Sequence, residues 1–199
     1  NPRVLREFAE AFSEYGFKWE NFSPAYGLAE ATLLVSSTPI GKAPVVLALE
    51  ASELEQGKIV PAAAGSTYVR DAVSCGPLVC ETTVAIVNPD TLARCGTDEV
   101  GEIWVRDPGV AHGYWQRPDA TRETFEAQIA DEGAERYLRT GDLGFMQDDE
   151  LFITGRIKDL IIIRGTNHYP QDIEWTVQQA SAARRPDYGA CVSIIHEGD

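Results

Sequence analysis

Two runs of residues near the end of the chain, separated by a short polar turn, constrain its fold most strongly. The first run is Tyr137-Leu-Arg-Thr-Gly-Asp-Leu-Gly144, and the second begins Gly155-Arg-Ile-Lys-Asp-Leu-Ile-Ile-Ile-Arg-Gly-Thr-Asn167. Gln147-Asp-Asp-Glu150 lies between them and contains the acidic residues that favour tight turns. The sequence therefore predicts a hairpin that brings Asp142 close to Arg156.

Asp142 and Arg156 have the chemistry to bind a nucleotide together. An ionised Asp offers two acceptor oxygens, which suit the two adjacent hydroxyl groups of a ribose. Gly141 allows a ligand to approach the backbone closely, and Arg156 can present a planar charged fork to phosphate or ribose oxygens. For two isolated residues, an Asx turn and a surface ion pair form the simpler interpretation. The wider sequence pattern favours the nucleotide site.

Four motifs follow one another along the chain in an order typical of one enzyme superfamily. They are Tyr26-Gly-Leu-Ala-Glu30, Gly101-Glu-Ile-Trp-Val105 with His112-Gly-Tyr-Trp115, Arg139-Thr-Gly-Asp142, and Gly155-Arg156. With them the chain resembles the adenylate-forming acyl ligases, which include acyl-CoA synthetases, luciferases and the adenylation domains of peptide synthetases. Three segments are most similar to the fatty-acyl-AMP ligases: Tyr26 to Val35, Val73 to Gly76 and Arg164 to Glu174. The resemblance covers essentially all 199 residues.

The resemblance implies a fold with α/β and α+β parts. Residues 1–155 would form the C-terminal portion of the large adenylate-forming domain, with a strand-helix edge, a β-rich subdomain and a family-type insertion at about 40–65. Residues 156–159 would be a hinge, and residues 160–199 the beginning of a small α+β C-terminal domain. The family's phosphate loop and its late lysine motif are not found in the sequence. We therefore expect a fragment that is inactive, or nearly so, on its own.

The resemblance also assigns residues to ATP and Mg²⁺. Tyr26 would lie on the adenine face with Gly27 beside the nucleotide, and Glu30 would hold Mg²⁺ and contribute to catalysis. For Glu30 alone, an acid that complements the dipole of a helix's first turn is the simpler alternative. Many relatives have Thr where this chain has Ala29, so the α-phosphate contact would come from elsewhere.

Two further roles follow from the resemblance near the hairpin. Asp142 would bind the ribose, and Arg156 would bind the nucleotide and contribute to catalysis. Lys158 occupies the position of the family's hinge residue, about which the small domain turns between half-reactions.

The implied reaction is activation of a fatty acid by ATP, with an acyl carrier protein as acceptor, in polyketide or lipid biosynthesis. Residues 40–65, predicted as strand, helical turn and strand, resemble the insertion that disfavours CoA thioester formation in fatty-acyl-AMP ligases. The alternative is an edge hairpin with a purely structural role. Two other functions stay open: an acyl-CoA synthetase, and a degenerate module that binds nucleotide or lipid without catalysis.

Periodicity and turn residues predict the other elements. We predict an amphipathic helix over Val4 to Phe12 ended by Gly16, a strand over Trp19 to Ser23, a helix over Leu28 to Val35, short strands between Val73 and Ile153, a helix starting at Pro118, a buried strand over Leu160 to Ile163, a helix over Asp172 to Gln179 and a strand over Ala190 to Ile195. Trp104 and Trp115 are predicted as core or wall residues.

Composition excludes several classes of partner and site. The formal net charge is −14, from 31 acidic and 17 basic residues, which argues against nucleic acid because phosphate binding needs clustered Lys and Arg. The sequence has no apolar run long enough for a transmembrane segment, so the cytoplasm is the expected location. Cys75, Cys80, Cys95 and Cys191 lack the spacing of a zinc site or a disulfide framework.

Overall fold

The computed structural model describes residues 2–130, 132–164, 166–180 and 190–192. Its helices are α1 (Pro2–Ala11), α2 (Ala51–Leu54), α3 (Pro118–Phe125) and α4 (Pro170–Gln179). Its strands are β1 (Ala25–Tyr26), β2 (Ser36–Ser37), β3 (Val46–Glu50), β4 (Val69–Pro77), β5 (Thr83–Val87), β6 (Gly101–Arg106), β7 (Leu138–Gln147), β8 (Glu150–Arg156), β9 (Ile161–Ile163) and β10 (Thr166–His168). Short 3₁₀ turns occupy Ser13–Tyr15, Trp19–Asn21, Ala29–Ala31 and Ile157–Asp159.

A six-stranded antiparallel sheet organises the described chain. Its strand order is β3-β4-β8-β7-β6-β5, so the hairpin β7–β8 lies at its centre. Strands β1 and β2 form a separate two-stranded sheet, and β9 and β10 form another. The mixed α/β fold and its β-rich part, both predicted from the sequence, are confirmed.

Alternating side chains of the central strands pack on the two faces of the sheet. On β6, Ile103 and Val105 join one buried cluster, whereas Trp104 between them joins another with Tyr137. A third cluster contains Phe152 of β8, together with Leu54 of α2 and Tyr169 at the start of α4. The insertion and the segment after β10 therefore share part of the core with the large sheet.

Three predicted helices are present. α1 covers most of the predicted amphipathic stretch, and Gly16, with φ of +84°, follows the short turn after it. Pro118 opens α3, because its fixed φ suits a first helical turn. Pro170 opens α4 in the same way, two residues before the predicted start.

The strand predicted over Trp19 to Ser23 is wrong. The Asn21 side chain accepts a hydrogen bond from the backbone N–H of Lys18 at 2.6 Å, which closes a 3₁₀ turn. The rings of Trp19 and Phe22 also meet edge to face, with 5.3 Å between their centroids. An extended chain would place these two side chains too far apart for that contact.

The helix predicted over Leu28 to Val35 is also wrong. After one 3₁₀ turn, Thr32 and Leu33 have positive φ of 52° and 78°, which no right-handed helix accommodates. The N–H of Val35 then bonds to the carbonyl of Tyr26 at 2.9 Å, and β2 pairs with β1. Pairing of these strands reverses the chain and overrides the apolar pattern.

Four smaller predictions need correction or lie outside the structure. The insertion has the predicted first strand and helical turn, but the second strand is reduced to isolated bridges at Lys58 and Pro61, since proline cannot donate to a ladder. In β9, Ile162 and Ile163 are exposed rather than buried, and Trp115 is 88% exposed whereas Trp104 is buried. Ala190 to Val192 are not in a strand, and the rest of that predicted strand lies outside the described residues.

Candidate nucleotide site

The central hairpin brings Asp142 and Arg156 directly opposite each other. They are register partners on β7 and β8, and the Nε of Arg156 donates a hydrogen bond of 2.7 Å to Oδ1 of Asp142. The strands are joined through Asp148 and Asp149, whose φ values of 50° and 63° match a two-residue hairpin turn of type I′. The structure thus brings together the two residues that the sequence placed a hairpin apart.

Tyr26 reaches the same carboxylate from β1. Its hydroxyl donates a hydrogen bond of 2.7 Å to Oδ2 of Asp142. Asp142 is only 6% exposed. Burial, followed by the hydrogen bond to Asp142, raises the pKa of Tyr26 well above its usual value, so the phenol keeps its proton. The Asp142 carboxylate in turn raises the pKa of the Arg156 guanidinium. Asp142 therefore receives one hydrogen bond on each oxygen.

Gly27 and Glu30 belong to the turn after β1. A Cβ atom on Gly27 would lie 1.4 Å from the carbonyl oxygen of Leu33, so only glycine fits there. The carbonyl of Glu30 accepts the N–H of Ala111 at 2.8 Å, and its Oε1 accepts the hydroxyl of Tyr114 at 2.8 Å. Burial and this hydrogen bond raise the pKa of Tyr114. The loop before α3 thus fixes both the backbone and the side chain of Glu30.

A cleft of about 400 Å³ lies beside these groups. Arg139, Arg156 and Lys158 supply positive charge to its wall, and Glu102 and Glu123 supply negative charge. Tyr114 lines the cleft and links it to Glu30, while Gly141 and Arg156 link it to Asp142. Its full lining is Glu102, Tyr114, Glu123, Thr124, Arg139, Thr140, Gly141, Arg156, Ile157 and Lys158.

Lys158 lies in the 3₁₀ turn Ile157–Asp159, directly after β8 and beside the cleft. Its role as a hinge stays a prediction, as do the roles of Tyr26, Gly27, Glu30, Asp142 and Arg156.

The residues of the site that received no role from the sequence include Glu102, Tyr114 and Arg139. Glu102 forms an ion pair with Arg139 at 2.8 Å, and its side chain is only 2% exposed. A charged residue inside the apolar run Gly101-Glu-Ile-Trp-Val105 is unusual, and that alone could have marked it. Tyr114 had no such signal, because its contact with Glu30 spans 84 positions of sequence.

A larger groove of about 950 Å³ lies between α1 and the strands β4 and β8. Its lining includes Leu5, Phe22 and Val73 but none of the predicted site residues. The smaller cleft is the candidate site because it contains the converging charged groups.

Clusters of metal-ligating side chains and the state of the cysteines can be read from the described residues. No group of three His, Cys, Asp or Glu side chains converges in this part of the chain. The cysteines are free, and burial raises the pKa of Cys75 to about 11. No helix in the described segments has the length and apolarity to cross a membrane.

The insertion, and strand β4 after it, contact the segment after the proposed hinge. The carbonyl of Glu55 accepts the N–H of Asn167 at 3.0 Å. The guanidinium of Arg70 on β4 lies 4.0 Å from the ring centre of Tyr169, and Tyr169 is only 2% exposed. The same guanidinium donates a hydrogen bond of 3.0 Å to the carbonyl of Thr154. We call Glu55, Arg70, Asn167 and Tyr169 the insertion contact.

Comparisons with known proteins found similar sequences. Residues 1–115 match the model of the AMP-binding enzyme family. The chain is 51% identical to the medium-chain-fatty-acid acyl-carrier-protein ligase JamA of Moorena producens, over 98% of this chain and 33% of that protein. It is 38% identical to a long-chain-fatty-acid–AMP ligase of Mycolicibacterium smegmatis, over 96% of this chain and 32% of that protein.

A solved structure is similar as well. The fatty acyl-adenylate ligase of Legionella pneumophila, in complex with acyl adenylate and pyrophosphate, superposes with a TM-score of 0.73 at 46% identity. The match covers 87% of this chain and 30% of that one. The chain thus spans about a third of the length of the relatives it matches.

Proposed function

This chain belongs to the family of AMP-binding enzymes, and from that membership we propose that the full-length protein activates a fatty acid as its acyl adenylate and transfers the acyl group to an acyl carrier protein. The observation that carries the proposal is the hydrogen-bonded group of Tyr26, Asp142 and Arg156 beside a charged cleft. The names of the two curated relatives, both ligases of fatty acids, support the choice of substrate.

The proposed activation forms one bond and breaks another. A carboxylate oxygen of the fatty acid attacks the α-phosphorus of ATP, and the bond from that phosphorus to the oxygen bridging to the β-phosphate breaks. Pyrophosphate leaves with the electron pair, and acyl-AMP remains. The thiolate of the carrier's phosphopantetheine then attacks the acyl carbonyl carbon, and AMP leaves.

Positioning and charge compensation, rather than acid-base chemistry, would drive this reaction. Asp142 is suited to accept the ribose hydroxyls, because a carboxylate has about four lone-pair sites and here uses only one on each oxygen. Arg156 has a half-exposed side chain whose Nε alone binds Asp142, so its terminal nitrogens can meet the nucleotide. Tyr26 would bind the adenine face while its hydroxyl holds Asp142.

Glu30 fits a Mg²⁺ ion that is shared with the triphosphate. Mg²⁺ prefers oxygen ligands and is commonly held by one or two carboxylates plus substrate phosphates. Oε1 of Glu30 accepts the Tyr114 hydroxyl, whereas Oε2 has no hydrogen-bonding partner among the residues that the structure describes. When bound, the ion would neutralise charge on the phosphates as pyrophosphate leaves.

The insertion contact supports a carrier protein, rather than CoA, as acceptor. It connects residues 51–70 to the segment that follows the proposed hinge, and so opposes rotation of that segment. A rotation of this kind is what thioester formation with CoA would require in the family that the sequence resembles. The name of JamA, an acyl-carrier-protein ligase, agrees with this choice.

The acceptor is tested with the full-length protein. We expect exchange of pyrophosphate into ATP that depends on a fatty acid, followed by transfer of the acyl group to a phosphopantetheinylated carrier in preference to CoA. Acyl-CoA as the main product would instead identify an acyl-CoA synthetase. Nucleotide binding without any exchange would identify a binding module.

The ribose assignment is tested with Asp142→Asn. Loss of hydrogen bonds to a charged acceptor should lower the affinity for ATP about 10- to 100-fold in the full-length protein. The matched control is Asp71→Asn, because Asp71 also pairs with an arginine, Arg6, at 2.7 Å but lies outside the cleft. Equal losses of ATP affinity in the two variants would contradict the assignment.

A further inference from the structure

Asp142 lies in a local irregularity of the central sheet. On β6 and β7, Trp104 pairs with Arg139 and Glu102 pairs with Leu143. A single residue of β6 thus faces three residues of β7, Thr140 to Asp142. Such a bulge re-aims a side chain that a regular strand would direct elsewhere.

The bulge is held by hydrogen bonds from its own polar groups. The N–H of Gly141, whose φ is +72°, donates to Oε1 of Glu102 at 3.1 Å. The hydroxyl of Thr140 donates to the carbonyl of Ile103 at 2.7 Å, and the N–H of Asp142 donates to Oγ1 of Thr140 at 3.1 Å. Two of the three acceptors, Oε1 of Glu102 and the carbonyl of Ile103, belong to β6.

Glu102 is the charged one of these acceptors. It is 1% exposed, and its Oε2 accepts Nε and Nη2 of Arg139 at 3.0 and 2.8 Å. The Arg139 guanidinium also lies 5.4 Å from the ring centre of Trp104. A buried carboxylate is tolerated only when its oxygens are hydrogen-bonded, and here both bond to residues of the bulged part of β7.

We infer that Glu102 is a positioning residue, which fixes the Arg139–Asp142 bulge so that the carboxylate of Asp142 can accept the ribose hydroxyls. The inference rests on the proposed nucleotide site. Glu102 lines the cleft, and its carboxylate acts on Asp142 through Gly141 and Arg139. Its contacts differ from those of an ordinary core residue, because among the described residues its carboxylate hydrogen-bonds only to the bulge.

The test is a comparison of two nucleotides in the full-length protein. ATP and 2′,3′-dideoxy-ATP differ only in the ribose hydroxyls, so the ratio of their Kd values isolates the ribose contact. We expect the unmodified protein to prefer ATP at least about tenfold, because a hydrogen bond to a charged acceptor contributes that much. Glu102→Gln should lower the ratio of the two Kd values towards one.

Glu102→Gln is a sharp change because glutamine keeps only one acceptor oxygen. Arg139 and Gly141 donate to both oxygens, so the amide nitrogen of glutamine would face a donor at one of the two positions. The matched control is Glu132→Gln. It breaks a bidentate ion pair with Arg94, whose two hydrogen bonds of 2.8 Å lie outside the cleft, and it should leave the ratio of the two Kd values unchanged.

Gly141→Ala is the second variant. No atom of the protein lies within 4 Å of the added Cβ, so the bulge is disturbed only by the strain of a positive φ at alanine.

Each outcome decides the matter. An unchanged ratio in Glu102→Gln, or equal weakening of both nucleotides, overturns the positioning role while the proposed function stands. No preference for ATP in the unmodified protein overturns the ribose site and this inference together. If Glu102→Gln does not fold, Gly141→Ala decides: a lowered ratio supports the inference, and a preserved ratio overturns it.

Discussion

The hydroxyl of Tyr114 fixes the position of the Glu30 carboxylate. It donates to Glu30 at 2.8 Å, and its ring meets that of Phe125 edge to face with 5.1 Å between centroids. The ring is thus fixed by α3, and the carboxylate by the ring. Partners of this kind typically change metal affinity 10- to 100-fold when they are removed.

We therefore predict that Tyr114→Phe raises the Mg²⁺ concentration needed for half-maximal pyrophosphate exchange about tenfold in the full-length protein. The measurement is a Mg²⁺ titration at fixed ATP and fatty acid. Tyr68→Phe is the control, because Tyr68 donates to Glu55 at 2.6 Å outside the cleft. A Mg²⁺ requirement that does not differ between the two variants would count against a role for Glu30 in metal binding.

Single residues of the site differed in how far the sequence revealed them. Asp142 and Arg156 lie on adjacent strands of one hairpin, so counting along the chain was enough to bring them together. Glu102 and Tyr114 act across the fold, and their partners Arg139 and Glu30 are 37 and 84 positions away. Contacts of that separation depend on how the sheet and its loops pack, which no local pattern specifies.

At the level of elements, the β7–β8 turn carries residues that are not ideal for its shape. Asp148 and Asp149 are both exposed and both have positive φ. Turns of type I′ favour Asn followed by Gly, because these residues adopt positive φ with the least steric cost.

We predict that the double variant Asp148→Asn with Asp149→Gly increases the free energy of unfolding by about 1 kcal/mol. Urea denaturation measures the change, and ATP affinity should be unaffected because the turn lies outside the cleft lining. Asp90→Gly serves as control, since Asp90 has no positive φ and should gain nothing. A double variant that is no more stable than the unmodified protein would argue that this turn is not strained.

Turn residues and apolar spacing predicted an element correctly where no long-range strand pairing favoured another conformation. The hairpin β7–β8 and the helix α3 have turn or start residues that agree with their surroundings. The segment from Leu28 to Val35 does not: its apolar residues suggested a helix, yet pairing of Ser36 with Tyr26 requires the chain to turn back. At that point the pairing of β1 with β2, and not the local spacing of apolar residues, determines the conformation.

For the molecule as a whole, the insertion contact joins parts that are far apart in sequence. The ion pair of Arg70 with Asp172 contributes little to it, because the side chain of Asp172 is 52% exposed. The stacking of Arg70 on the buried ring of Tyr169 contributes more.

We predict that Arg70→Met lowers the hydrogen-exchange protection of the Asn167 amide about fivefold, as expected from the loss of roughly 1 kcal/mol of cation–π energy. The amide is a suitable reporter because it donates to Glu55 across the contact. Arg106→Met is the control: Arg106 lies 5.8 Å from the ring centre of Tyr137, away from the insertion. Unchanged exchange at Asn167 in Arg70→Met would show that the segment is held by other contacts.

The order of residues at the end of β8 separates what would stay in place from what would move. Arg156 is the last residue of that strand, and the turn Ile157–Asp159 begins at the next one. If the chain swivels at this turn, Arg156 stays with the sheet, because it is paired with Asp142 of β7. The groups that face the ribose would then keep their geometry through the movement, while Lys158 changes its orientation towards them.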